Sequence, residues 1–183
     1  MVGQVRPGPV IHFHENRCTM AIWQFTVGLI PRAWAELEGN GPEILFDDEG
    51  HNDMSTAWKQ NQPSASQFDL IAEVLPLTES WSEEFRIWGD HTRSDIQVSY
   101  DGTAVESVTV RIDTREDPFH LCSKIVDLAR ALDCFFFLPS TRSIIMADVT
   151  LLSDAVHNSR AAQFSAAPRE FIEQLSRASS NES

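Results

Sequence analysis

Residues 134–139 read CFFFLP, and a run that apolar cannot lie on a sheet with one face in water. Successive side chains of a strand point to opposite sides, so three consecutive phenylalanines put large rings on both faces. Such a strand needs cover above and below, which places it centrally in a sheet carrying helices. The segment just before it supplies one of them. In DPFHLCSKIVDLARALD, residues 117–133, Leu121, Cys122, Ile125, Leu128, Ala129 and Leu132 form one apolar stripe. His120, Lys124, Asp127 and Arg130 take the wet side, Asp117 suits the N-cap and Pro118 the first helical position.

The other elements follow from period and punctuation. AIWQFTVGLIP alternates Trp23, Phe25, Val27 and Leu29 against Gln24, Thr26 and Gly28, the pattern of a half-buried strand closed by Pro31. RAWAELEGNGP reads as a short helical turn or loop, and EILF as a brief strand. SASQFDLIAEVLP, capped by Ser64 or Ser66 and stopped by Pro76, reads as a helix. EFRIW (84–88), DIQVSY (95–100) and ESVTVRID (106–113) are strand candidates, and SIIMA adds a short one. DVTLLSDAVHNSRAA reads as a second amphipathic helix and REFIEQL as a short third. This order predicts an α+β domain over residues 20–175, a mainly antiparallel sheet with amphipathic helices clustered on one face. Residues 1–19 are expected to be a flexible N-terminal extension and 176–183 a disordered tail.

Strands 95–100 and 106–113 invite pairing as a hairpin, and two registers keep both apolar sets on the core side. Pairing Ile96 with Val110 sets Asp95 against Arg111 and Arg93 against Asp113, both attractive. Pairing Ile96 with Val108 uses an Asp101-Gly102 turn plus one bulge, with better turn chemistry but Arg93 against Arg111. In either register the charges are expected on the solvent face.

The 183 residues carry 14 Lys and Arg against 27 Asp and Glu, a net charge of −13. Residues 1–19 hold Arg6 and Arg17 against Glu15 alone, so the acidity belongs to the folded part. A field of that sign repels nucleic acid and anionic membrane surfaces, and it favours encounter with a basic protein. Cys18, Cys122 and Cys134 are odd in number and widely spaced, which argues for a reducing compartment. No apolar run reaches membrane-span length and no secretory leader is evident, so a cytoplasmic location is expected. An exposed sheet edge would leave homodimerisation open.

Chemistry-bearing residues concentrate in WGDHTRSDIQVSYDG, residues 88–102. Asp90, His91 and Asp95 are candidates for acid, base and orienter, with Arg93, Arg111 or Arg115 stabilising an anion. The competing reading is the charged rim of a hairpin. DDEGHND supplies an acidic loop of Asp47, Asp48, Glu49 and Asp53 without the alternating ligands of a calcium-binding EF-hand. His12, His14 and Cys18 could ligate a soft metal but lack a second pair at zinc-finger spacing, so no metal and no cofactor are expected. Trp34, Trp58, Trp81 and Trp88 lie in or near loops and strand ends and read as partly buried core edges, while Trp58 and Trp88, beside acidic segments, also have the character of interface anchors. The partner-binding candidates are therefore Asp47, Asp48, Glu49, Asp53, Trp58, Trp88, Asp90 and His91.

The phrases IWQFTVGLIP, SWSEEFRIWGD, SDIQVSYDG, RIDTRED and LDCFFFLP together resemble those of a group of small uncharacterised bacterial proteins, across Met20 to Leu175. A compact, acidic, motif-poor domain also resembles the immunity proteins that neutralise bacterial toxins. That resemblance implies a protein-binding domain, an immunity-type inhibitor with a basic toxin as partner. The alternative expectation is a hydrolase or small-ligand enzyme using the Asp90–Asp95 region.

Overall fold

The computed structural model describes residues 21–80 and 82–180. Among the described residues seven strands form one sheet: β1 (Gln24–Pro31), β2 (Leu77–Thr78), β3 (Phe85–Gly89), β4 (Asp95–Asp101), β5 (Ala104–Asp113), β6 (Cys134–Leu138) and β7 (Ser143–Ile145). Their order is β2-β3-β4-β5-β1-β6-β7, and every pairing is antiparallel. Among the described residues the helices on it are α1 (Arg32–Ala35), α2 (Ser55–Trp58), α3 (Ala65–Asp69), α4 (Ile71–Val74), α5 (Phe119–Ala131), α6 (Val149–His157), α7 (Arg160–Ala166) and α8 (Pro168–Ser180). The domain is thus α+β, as its element order predicts.

The first strand in the chain lies inside the sheet, between β5 and β6. Because β5 and β6 each run antiparallel to β1, they run parallel to one another, and α5 makes the crossover between them. The α5 stripe buries Cys122, Ile125, Val126, Leu128 and Ala129 in one core with Val27, Leu29, Val108, Val110 and Phe136. Asp117 Oδ1 accepts the Phe119 N–H at 3.0 Å, so the expected residue does the capping although the helix begins after Pro118.

β1 is covered on both faces, not one. Its second face carries Gly28, where an added Cβ would collide with the Met54 sulfur. Phe46 meets Phe137 edge-on at 5.6 Å, and the Trp58 indole donates to the Leu29 carbonyl at 3.0 Å. The segment between β1 and α3 therefore wraps the face that alternation alone left to solvent. Within it the first three residues of EILF join a 3-10 turn, Pro42–Leu45, that Pro42 starts and that buries Leu45, and only Phe46 is extended, bridging Asn52. The expected 148–162 helix breaks into α6 and α7, since Ser159 Oγ accepts the Ala162 N–H and opens a new helix. The third helix is longer than its apolar pattern: α8 continues through residues 176–180, expected to be disordered, and Ser176 donates back to the Ile172 carbonyl at 3.0 Å.

Of the two hairpin registers the structure has the first, with Ile96 opposite Val110 and Asp95 opposite Arg111. The two-residue turn is Gly102-Thr103, one position later than Asp101-Gly102, with Gly102 at φ +59°. A bulge at Ser99/Tyr100 then absorbs Glu106 as the extra residue and restores parity, so Val108 still faces the core.

Candidate functional site

The two ends of the β3–β4–β5 meander gather the polar side chains. At one end, the 89–94 turn, the 113–118 loop, the end of α4 and the start of α5 enclose a cleft of about 490 Å³. Gly89, at φ +94°, lets the chain turn here; a Cβ would strike the Ser94 carbonyl oxygen and lie 2.9 Å from Leu75 Cδ1. Asp90 Oδ1 accepts the Thr92 N–H at 2.8 Å and its hydroxyl at 2.7 Å, and these bonds hold the Asp90 carboxyl below its ordinary range. Gln24 crosses from β1 and donates to the His91 and Arg93 carbonyls at 3.0 and 2.7 Å.

Two arginines at this cleft are committed to carboxylates. Arg93 pairs with Glu116, and the Arg115 guanidinium holds Asp113 at 2.7 Å while stacking over the Trp23 ring at 4.5 Å. Burial works to raise the Asp113 carboxyl, but the bonds from Arg115 outweigh it and leave it lowered. Arg115 also donates to the Thr92 carbonyl at 3.0 Å, bracing the turn. Asp90, His91 and Arg115 are thus neighbours, as the sequence suggests, but they frame a turn and do not converge on a reacting atom. His91 points outward, its Nδ1 4.0 Å from Asp90 Oδ1.

Asp95 leaves the group altogether. Expected on the solvent face, it is 0% exposed, and its partner Arg111 is 3% exposed. The guanidinium grips the carboxylate through Nε at 2.8 Å and through Nη2, and Gln97 donates a further bond at 3.0 Å. An aspartate so saturated is unavailable as an acid or base. Trp58 and Trp88 are also corrected: at 1% and 5% exposure they are core residues, not surface anchors.

The opposite end is acidic, and a second acidic stretch, the 47–53 loop, lies along β1 with His51 3.5 Å from Asp47 and 3.6 Å from Glu49. In the 47–53 loop, Asp47 Oδ1 accepts the His51 and Glu49 N–H groups at 2.8 and 2.9 Å, which lowers its carboxyl. Asp48 and Glu49 are exposed, and Asp53 Oδ1 caps α2 through the Ser55 N–H at 2.9 Å. Asp53 borders a hollow of about 280 Å³ with the half-buried Glu106, Ser99, Ser107 and Thr109. Desolvation raises the Glu106 carboxyl, and Asp101, Asp53 and Glu84 push it further the same way. Among the described residues no ion pair involves any of these four carboxylates.

Glu84, Asp101 and Glu106 were missed as site residues because nothing local marks them. The bulge that displaces Glu106, and the pairing that brings Glu84 beside Tyr100, exist only in the folded sheet. Among the described residues no group of three or more His, Cys, Asp or Glu could hold a metal ion; His12, His14 and Cys18 lie outside them. Nor is any helix there long and apolar enough to cross a membrane. No protein-family model, curated protein or solved structure matches the chain.

Proposed function

We propose that this chain is a small acidic protein-binding domain of the cytoplasm, an immunity-type inhibitor that neutralises a basic bacterial toxin. The observation that carries the proposal is the unpaired carboxylate group of Asp53, Glu84, Asp101 and Glu106, beside the acidic 47–53 loop. Like charges held together without a cation oppose folding, and a basic partner surface would relieve that repulsion on binding. Buried free thiols at Cys122 and Cys134 agree with a reducing compartment. The hydrolase alternative gains no support, since Asp95, Asp113 and Glu116 are committed to arginines.

The test is affinity capture from the native host with wild type and with a Glu84→Lys, Asp101→Lys, Glu106→Lys triple variant. Wild type is expected to retain a basic protein that the variant releases. Equal capture by both, or a captured partner of net negative charge, rejects the proposal.

A further inference from the structure

Beside the acidic group, on the other face of the same hairpin, a groove of about 580 Å³ runs between α3–α4 and the sheet. Its floor is Phe68, Trp88, Tyr100 and Val105, with the Phe68 and Tyr100 rings 6.3 Å apart. At its mouth stands Leu77, 65% exposed, on the two-residue strand β2. A lone exposed leucine needs no explanation, but this one overhangs an aromatic floor at the end of a sheet edge.

The rim is predominantly acidic. Asp69 and Glu83 line the groove, and Asp101 is the chain neighbour of its lining residue Gly102. Arg86, the sole cation among the described lining residues, lies over the Tyr100 ring at 5.3 Å. An apolar, aromatic centre within a charged rim is the anatomy of an anchoring site, where one large side chain supplies much of the binding energy. The rim then selects what carries that side chain. A second copy of this chain brings a net charge of −13 against the same sign, and an anionic lipid surface is repelled likewise.

We infer that the groove receives one large apolar side chain, leucine-like or aromatic, presented by a basic segment of a polypeptide partner. This rests on the acidic binding reading above and adds its anchor. The carboxylates steer the encounter, and the groove sets specificity through the fit of one residue.

Three short synthetic peptides test it by amide NMR titration: a Lys/Arg-rich peptide with a central Phe, the same peptide with Ala at that place, and a Glu-rich peptide with the central Phe. The basic Phe peptide is expected to shift the amides of Phe68, Leu77, Tyr100 and Thr103 and to bind about tenfold tighter than its Ala counterpart. Leu77→Ser, at an exposed position that leaves the core intact, should erase most of that difference. If both basic peptides bind alike, with shifts confined to Asp53 and Glu106, the groove falls while the acidic reading stands. If the Glu-rich peptide binds as well as the basic one, the basic-partner assignment falls. Should no peptide shift the groove at millimolar concentration, the anchor is overturned alone, because host capture with the charge-reversed variant judges the acidic surface independently.

Discussion

Asp95 and Glu106 lie on neighbouring strands, and their environments give them opposite effects on stability. Asp95 is buried against Arg111 and Gln97, so removing it strands a guanidinium inside the protein. Asp95→Ala should cost about 3–5 kcal/mol, measured as the shift of a urea unfolding curve; a loss below about 1 kcal/mol would mean that the pair behaves as a surface one. Glu106 is half-buried among carboxylates, and burial together with those neighbours raises its folded-state pKa above the ordinary 4.5. The folded protein therefore holds that proton more tightly than the unfolded chain, so ionised Glu106 destabilises the fold above the raised pKa. The penalty fades as pH falls to 4.5 and below. Glu106→Gln should accordingly gain a few tenths to about 1 kcal/mol at neutral pH, a gain that vanishes in acid. A gain that persists in acid would remove like-charge repulsion as its cause. Asp113 runs the other way: its lowered carboxyl contributes stability that is lost as pH falls through the folded pKa.

The same contrast between local and distant causes separates the elements. α5 is legible because its stripe, cap and stop lie within one contiguous stretch. α6 is equally local at its start, where Asp148 Oδ1 accepts the Thr150 and Leu151 N–H groups at 2.9 and 3.1 Å. Asp148→Ala should cost about 1 kcal/mol, read as a lower thermal midpoint; an unchanged midpoint would show that packing against α5 alone holds the helix. The end of α6 is harder to see, because Ser159 and Asn158 compete for backbone groups that an uninterrupted helix would use itself. The hairpin lies between these cases. Apolar parity limited it to two registers and cross-strand charge favoured the right one, whereas preferred turn chemistry favoured the wrong one. The structure satisfies both demands with a shifted turn and a bulge.

The molecule as a whole is an antiparallel sheet with β1 covered on both faces and an acidic end near the β4–β5 turn. Its net charge of −13 gives any encounter with a basic partner a long-range component. The association rate with a captured partner should therefore fall about tenfold or more from low salt to about 1 M, where the screening length shrinks to about 3 Å. The dissociation rate should change far less, because the groove contact is apolar. A salt-independent association rate, followed by stopped-flow fluorescence, would assign the docking surface elsewhere.

Periodicity and punctuation in the chain were enough for the α+β class, the α5 stripe, the doubly covered CFFFLP strand and a hairpin limited to two registers, one of which pairs Asp95 with Arg111. Each depends on neighbours in sequence or on a single strand pairing. The placement of β1 inside the sheet, the wrapping of its second face by residues 42–58 and the burial of Asp95 and Arg111 depend on segments far apart in the chain. Alternation tells which side chains share a face, but not what will cover that face. For the same reason the acidic group around Glu106 and the aromatic groove beside it emerge only from contacts between segments that are separate in sequence.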